Sequence, residues 1–468
     1  MSHPGLHAAL DLMRAAGESD QAMAVFATYH AQLQAGHTGT IPEDTIRPLT
    51  DVPELGDVAV SEEERREALS RTVVLKLNGG LGTSMGMTGP KSLVPVRDGL
   101  TFLDIVARQV MSLRERYDVD LPLLLMHSFS TREPSLEALR AYPDLQVGDL
   151  PLDIMQNREP KLTVDELAPV SWPANPDLEW CPPGHGDVYV SLLTSGVLER
   201  LRELGYETLF LSNIDNLGAT CDPDIAAWMR AEGAPYVAEV CERTHNDRKG
   251  GHLAVRRSDG RLVLRDNGAV APGEMEFFQD TELHGTFHTN NLWVSIERLH
   301  DRLTETGGVL GLPMIANHKT VDPTDRLSTP VIQIESAMGS AIEIFEGSRA
   351  IGIPRTRFRP VKTTNELLLM QSDIYDLTDG YELVSTIDHP EPYVDLGPNY
   401  HLISDFTRHF PKGAPSLRDC ETMRIRGDLT FGAGVRCVSD VDVVVEHPAV
   451  VPDGAVLTRS GGDVIEPR

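Results

Sequence analysis

The sequence predicts an α/β protein, a mixed, mostly parallel sheet with flanking helices, followed by a β-rich C-terminal region. Three observations predict it. From Thr72 to Val240, apolar β-branched runs alternate with helical periodicity, the rhythm of a doubly wound sheet. A loop with five glycines (Gly79, Gly80, Gly82, Gly86, Gly89) follows the first such run, at the strand end where these sheets bind ligands. After about residue 380 the helical pattern stops, and apolar residues recur every six positions at Ile425, Phe431, Cys437, Val443, Ala449 and Ala455. A six-residue beat fits the coils of a parallel β-helix, or a plain sandwich or meander.

The elements follow in order. Residues 5–35 carry helical periodicity through Leu6, Ala9, Leu10, Met13, Met23, Phe26 and Tyr29. Residues 41–60 read as a Pro/Asp-rich connector, and 62–69 as a short charged helix. Strands are expected over 73–77, 121–126, 208–211 and 236–240. Helices are expected over 102–117, 187–204 (capped by Asp187) and 224–232. Residues 250–285 read as an antiparallel hairpin turning at Ser258-Asp259-Gly260. Further helices are expected to open at Glu335 and to run over 365–375. The division expected is a helical support region at 1–70, an α/β domain at 71–380 and a β-rich region at 381–468.

Bulk composition narrows the function. With 42 Lys+Arg against 70 Asp+Glu, the net charge of −28 disfavours nucleic acid and anionic membranes as partners. No apolar run reaches membrane-spanning length, and the N-terminus lacks a basic stretch followed by an apolar one, so a cytoplasmic protein is expected. The five cysteines show no C-x-x-C spacing, so buried, reduced thiols are expected rather than disulfides or zinc.

The chemistry-bearing stretches lie at predicted strand ends. Residues 73–92, VVLKLNGGLGTSMGMTGPKS, join a strand to a glycine loop and Lys91. Glycines let successive N–H groups approach phosphate oxygens, and the lysine adds a movable charge. The spacing matches neither a P-loop nor a complete G-x-G-x-x-G, where Met85 takes the third glycine slot. Asn213-Ile214-Asp215-Asn216 follows another strand. Asp215 there can hold Mg²⁺ against phosphates, or the stretch is an Asx turn. The Gln156 amide can read a uracil edge, or it is an ordinary surface side chain. Gly184 and His185, in Pro182-Pro183-Gly184-His185-Gly186-Asp187, suit close backbone approach and a hydrogen bond to a base or phosphate. Asn290 and Asn291 suit sugar hydroxyls, as does Glu335 unless it serves a helix dipole. The run Arg355-Thr356-Arg357-Phe358-Arg359-Pro360-Val361-Lys362 is the one dense basic segment. It suits a polyanion, with Lys362 as a second catalytic cation.

Together the ordered segments LNGGLGTSMG, GPKS, the Gln156 loop, PPGHGD, NIDNLG, HTNNLW and RFRPVKTT resemble the eukaryotic-type UTP–glucose-1-phosphate uridylyltransferase family over roughly residues 70–460. The resemblance implies that the α/β domain at 71–380 is a catalytic nucleotidyltransferase domain of GT-A/Rossmann-like type and that the region at 381–468 is a C-terminal left-handed parallel β-helix. It implies Mg²⁺ as cofactor, UTP and glucose 1-phosphate as substrates, and UDP-glucose and pyrophosphate as products. By matching position, Leu77, Asn78, Gly79 and Gly80 would cradle UTP and the sugar phosphate. Lys91 would contact the triphosphate. Gln156 and Gly184 would read uracil, and His185 would touch the sugar phosphate. Asn213 would contact both substrates, Asp215 would hold the metal, and Asn290 or Asn291 would hold the glucosyl hydroxyls. Lys362 would neutralise charge at the α-phosphate. The chain departs from the family at Met87-Thr88, where relatives often have Cys-Lys, at His288 in place of Asn, and at Asn365 in place of Ser or Asp.

Three other readings stay open. A broad UDP-sugar or UDP-N-acetylhexosamine pyrophosphorylase would share the architecture, although hexosamine enzymes usually carry an arginine where Thr83-Ser84-Met85 stands. A non-catalytic nucleotide-sugar sensor would not need both lysines and Asp215. Six-residue coils can stack, so a homo-oligomer through the C-terminal region is a further expectation.

Overall fold

A computed structural model describes residues 4–37, 39–82, 85–87, 89–244, 247–458 and 466–467. Thr83, Ser84 and Thr88, three positions weighed in the glycine loop, lie outside the described residues.

Seven strands form the central sheet, in the order Arg349–Gly352, Tyr236–Glu242, Thr286–Ser295, Thr208–Asn213, Thr72–Asn78, Leu123–His127, Asp153–Met155. All neighbouring pairs are parallel except those made by Thr286–Ser295, which runs antiparallel to both its neighbours. The sheet is therefore mixed and mostly parallel, as the alternation predicts. Its strands are apolar almost throughout because both faces are covered. On one face the helix Phe102–Tyr117 buries Phe102, Val106, Val110 and Leu113. On the other, Val188, Leu192, Val197, Leu198 and Leu201 pack beneath Val73, Leu75, Leu209 and Leu211.

That second helical stretch is two helices, Val188–Thr194 and Val197–Glu203, and not the continuous one expected. Gly196 takes φ 74°, which opens a new helix start while keeping one apolar stripe. Asp187 stands at the helix start but makes no capping bond. Its buried carboxylate instead accepts from Asn157 N (2.6 Å), Asn157 Nδ2 (2.8 Å) and Ser191 Oγ (2.9 Å). Glu335 lies within the strand Pro330–Ser336, one residue before its end, and opens no helix. The helix expected to end at Tyr375 runs over Thr364–Gln371, and Tyr375 begins a strand.

The hairpin forms from His252–Arg256 and Leu262–Arg265 but stops short of the expected 250–285, because helical turns take up Asn267–Ala269 and Met275–Gln279. At the N-terminus, Ala9, Met13, Met23, Phe26 and Tyr29 pack on Leu162, Met314 and Ile334. The six-beat residues Ile425, Phe431, Cys437, Val443, Ala449 and Ala455 are all buried. Their strands stack in parallel: Ser416–Arg426 pairs with Arg436–Val444, which pairs with Val456–Leu457, and Leu429–Phe431 pairs with Ala449–Val451. One helix, Ile403–His409, interrupts the helix-free reading of this region. Apolar residues of the sheet, such as Val74, Phe210 and Trp293, belong to the same core as Phe406, Leu429, Phe431 and Leu457.

Among the described residues no helix is long and apolar enough to cross a membrane. All five cysteines are buried and free.

Candidate active site

At the carboxyl ends of Thr72–Asn78 and Thr208–Asn213 lies a cleft of about 450 Å³. It is lined by Leu77, Gly79, Gly80 and Lys91 from the first strand and its loop, and by Asn213 and Asp215 from the second. Gln156, Gly184 and His185 close the other side. Nine sequence-predicted residues thus share one cavity. Leu81, Gly82, Pro182 and Ile214 also line it from within the quoted motifs, with no role assigned to them individually, and Met126 joins them although no charge or motif singles it out in the sequence.

Local bonds hold the walls. The Gly79 carbonyl accepts from Ser128 Oγ (2.9 Å), and the Gly80 carbonyl accepts from Lys91 N (3.2 Å), which closes the glycine loop on its lysine. Lys91 Nζ lies 2.5 Å from Asp215 Oδ2. Both side chains are mostly covered, at 14% and 18% exposure, so solvent screens this pair only in part. The bonds from Asn157 to Asp187 tie the Gln156 loop to the Gly184-His185 turn. Gly184 sits at φ 80°, and a Cβ there would fall 2.5 Å from the Ser336 carbonyl oxygen, so only glycine fits against that strand.

His185 is open to the cleft, and its Nδ1 accepts from Met338 N (3.0 Å). A protonated ring has no acceptor, so the ring is neutral and its proton sits on Nε2. Desolvation by the surrounding chain acts in the same direction, lowering the pKa to about 4. Because an open ring keeps part of its water, the Met338 bond is what decides the tautomer.

The remaining predicted residues lie around this cleft. Asn78 is buried, and its Nδ2 donates to Ser135 Oγ (2.9 Å), away from the cavity. Asn290 reaches the cleft edge, where its Nδ2 stands 3.5 Å from Asn213 Oδ1. Asn291 is buried and bonds Glu239 Oε2 (3.1 Å). Glu335 lies behind Gly184, with Lys319 Nζ 4.0 Å from its carboxylate.

Lys362 is exposed and lines an adjoining cleft of about 370 Å³ with Arg355, Arg359, Glu366 and Glu391. It remains tied to the first site through its neighbour, since Val361 N donates to the Asp215 carbonyl (3.2 Å). The basic run is not an open polyanion surface. Arg355 pairs with Asp247 (2.7 Å), Arg357 with Glu239 (2.8 Å), and Arg359 with Glu391 (2.8 Å).

Beneath the cleft, Lys76 is buried and donates to Ser212 Oγ (2.7 Å) and the Ala219 carbonyl (2.5 Å), bracing one strand end against the other. Burial lowers its pKa to about 7.

A glycine loop, a lysine and a carboxylate converging at parallel strand ends define a nucleotidyltransferase-type enzyme. The family model described as UTP–glucose-1-phosphate uridylyltransferase matches residues 23–437. The UTP–glucose-1-phosphate uridylyltransferase of Solanum tuberosum is 37% identical over 425 residues, covering 90% of this chain and 85% of its own. The structure of UDP-glucose pyrophosphorylase from Leishmania major, known in open and closed forms, superposes with a TM-score of 0.91 at 40% identity, covering 98% of this chain and 99% of that one. A point mutant of that enzyme in complex with UDP-glucose gives a TM-score of 0.90 at 40% identity, with the same coverage. The chain belongs to the UTP–glucose-1-phosphate uridylyltransferase family.

Proposed function

We propose that this chain transfers the uridylyl group of UTP to glucose 1-phosphate, giving UDP-glucose and pyrophosphate in a reversible reaction. The observation that carries the reading is the convergence of Gly79, Gly80, Lys91, Gln156, Gly184, His185, Asn213 and Asp215 on one cleft. The family membership supports it.

The glycine loop and Lys91 bind the triphosphate, and Leu77 and Asn78 set the backbone that presents it. Gln156 and Gly184 read the uracil edge. His185 donates from Nε2 to the sugar phosphate. Asn213 and Asn290 hold the glucosyl side, with Asn291 supporting them from below and Glu335 behind the wall.

A sugar phosphate oxygen attacks the α-phosphorus and pyrophosphate leaves in line. A phosphate monoester has a second pKa of roughly 6, so the nucleophile is largely ionised at neutral pH and needs no general base. The barrier is repulsion between anions, and catalysis is positioning plus charge neutralisation. Lys91 and the loop N–H groups face the β- and γ-phosphates, and Lys362 approaches the α-phosphate from the adjoining cleft.

Mg²⁺ fits here only together with substrate. Asp215 is a single hard oxygen donor, and no group of three or more His, Cys, Asp or Glu among the described residues is placed to hold a metal. Mg²⁺ commonly takes one or two carboxylates plus substrate phosphates. Asp215 would hold it, and the bound ion would spread negative charge from the phosphate oxygens.

The proposal extends to a cytoplasmic enzyme whose C-terminal coils form a left-handed parallel β-helix. Assembly into a homo-oligomer through those coils is part of it, tested by light scattering of the full chain. Phosphorus NMR of the protein with UTP, Mg²⁺ and glucose 1-phosphate tests the reaction. New diphosphate resonances of UDP-glucose with stoichiometric pyrophosphate are expected, and unchanged UTP overturns the reading. The same assay with galactose 1-phosphate and N-acetylglucosamine 1-phosphate tests the broad-specificity alternative.

A further inference from the structure

The strand Tyr236–Glu242 holds one charged residue in its buried interior, Glu239, with a fully buried side chain. It faces an irregularity in Thr286–Ser295. Ala238 pairs with Leu292 and Val240 with His288, so Glu239 alone opposes Thr289, Asn290 and Asn291. This is a bulge, the device that re-aims a side chain beside a site. Asn290 takes φ 62° within it and reaches Asn213.

Glu239 grips both flanks of the bulge. Its carbonyl accepts from Thr289 Oγ1 (2.7 Å). Its Oε2 accepts from Asn291 Nδ2 (3.1 Å) and Arg357 Nε (2.9 Å). Its Oε1 accepts from Trp293 Nε1 (2.9 Å) and Arg357 Nη2 (2.8 Å). Arg357 carries the connection onward. Its carbonyl accepts from Asn216 Nδ2 (3.2 Å), Asn216 Oδ1 accepts from Arg359 N (2.8 Å), and Val361 N donates to the Asp215 carbonyl (3.2 Å).

We propose that the buried Glu239–Arg357 pair is the positioning element that sets Asn290, on the sugar side, and Asp215 with Lys362, on the phosphate side, in one register. The proposal rests on the transferase reading given above. Four N–H donors converge on two oxygens, a set that only an acceptor-only carboxylate satisfies. A buried ion pair is a weak source of stability compared with well-packed apolar groups. What this pair supplies is a fixed geometry: its contacts reach both halves of the cleft, and neither residue touches the cavity.

The test compares Glu239→Gln, which places an amide N–H against two of the four donors, with Thr289→Val, which loosens the bulge without altering buried charge. Each variant is followed by thermal melting and by kcat and KM for each substrate. In both, kcat should fall and KM for glucose 1-phosphate should rise, with a combined loss on the order of 10²-fold for Glu239→Gln and smaller for Thr289→Val. KM for UTP should rise less than KM for glucose 1-phosphate, because the glycine loop and Gln156, which hold UTP in the ground state, lie outside the network, while Asp215 and Lys362 act at its phosphates mainly in turnover. A folded variant with wild-type kinetics for glucose 1-phosphate overturns the proposal. So does equal weakening toward both substrates with a lowered Tm, which marks a structural role only. If Glu239→Gln does not fold, Thr289→Val decides alone. A wild-type protein that forms no UDP-glucose defeats the transferase reading itself, and the proposal with it.

Discussion

Lys91 Nζ and Asp215 Oδ2 are 2.5 Å apart, so the cation of the glycine loop neutralises the acid two residues beyond the end of the neighbouring strand. Both side chains line the same cleft. On the proposed mechanism a divalent ion and Lys91 would compete for the Asp215 carboxylate, and the triphosphate of UTP would resolve the competition by drawing the lysine to itself.

Asp215→Asn should therefore lower turnover by about 10²–10³-fold while leaving metal-free UTP binding as tight as in the wild type or tighter. Calorimetric titration of UTP in EDTA checks the second half. Weaker binding in the variant would show that Asp215 assists the triphosphate by another route.

Lys362 is exposed at the edge of the adjoining cleft, so its truncation costs little packing. Lys362→Ala should reduce kcat by about 10²–10³-fold with an unchanged melting temperature. Stopped assays of pyrophosphate release measure this, and normal turnover would remove Lys362 from the reaction.

Gln156 lies against Gly79, with Oε1 3.1 Å from where a Cβ at that glycine would stand. An amide that pairs with a donor and an acceptor on one edge of uracil discriminates by leaving polar groups unmet when the wrong base binds. Gln156→Ala should lower the UTP/CTP ratio of kcat/KM on the order of tenfold. An unchanged ratio would assign base reading elsewhere.

His288 is buried, and desolvation, aided by nearby His185, lowers its pKa to about 3. The unfolded chain binds a proton near pH 6.5 that the folded chain refuses. Its contribution to stability is thus complete above about pH 6.5 and is lost as the pH falls toward 3, by about 2 kcal/mol at pH 5. His288→Asn should flatten the fall in urea midpoint between pH 7.5 and 5. An equally steep fall would place the acid sensitivity in other groups.

Much of this was legible because local chemistry and tertiary placement agree. The run Val73-Val74-Leu75 with its glycine loop could only end a buried strand, and the six-residue beat from Ile425 to Ala455 is buried at every position. The misreadings have physical causes. An apolar stripe spans Val188 to Leu201 whether or not Gly196 divides it, so periodicity alone hid the break. Asp187 has the right chemistry for a cap, but Asn157 and Ser191 offered its carboxylate better donors. Adjacent amides at 290 and 291 look equivalent in sequence, and only the bulge sends one to the cleft and the other into the core. The basic run concealed three arginines that are already paired. A lone Glu inside Tyr-Val-Ala-Glu-Val-Cys was the one available sign of Glu239, and strand patterning alone gives it no role.

The apolar core passes without a seam from Val74 and Phe210 into Phe431 and Leu457, across the boundary expected near residue 380. Heat absorbed by one part must then be felt by the other, and a calorimeter should record a single endotherm rather than two. A cavity cut at Phe431, far from any substrate, would lower the temperature at which the glycine loop loses its footing.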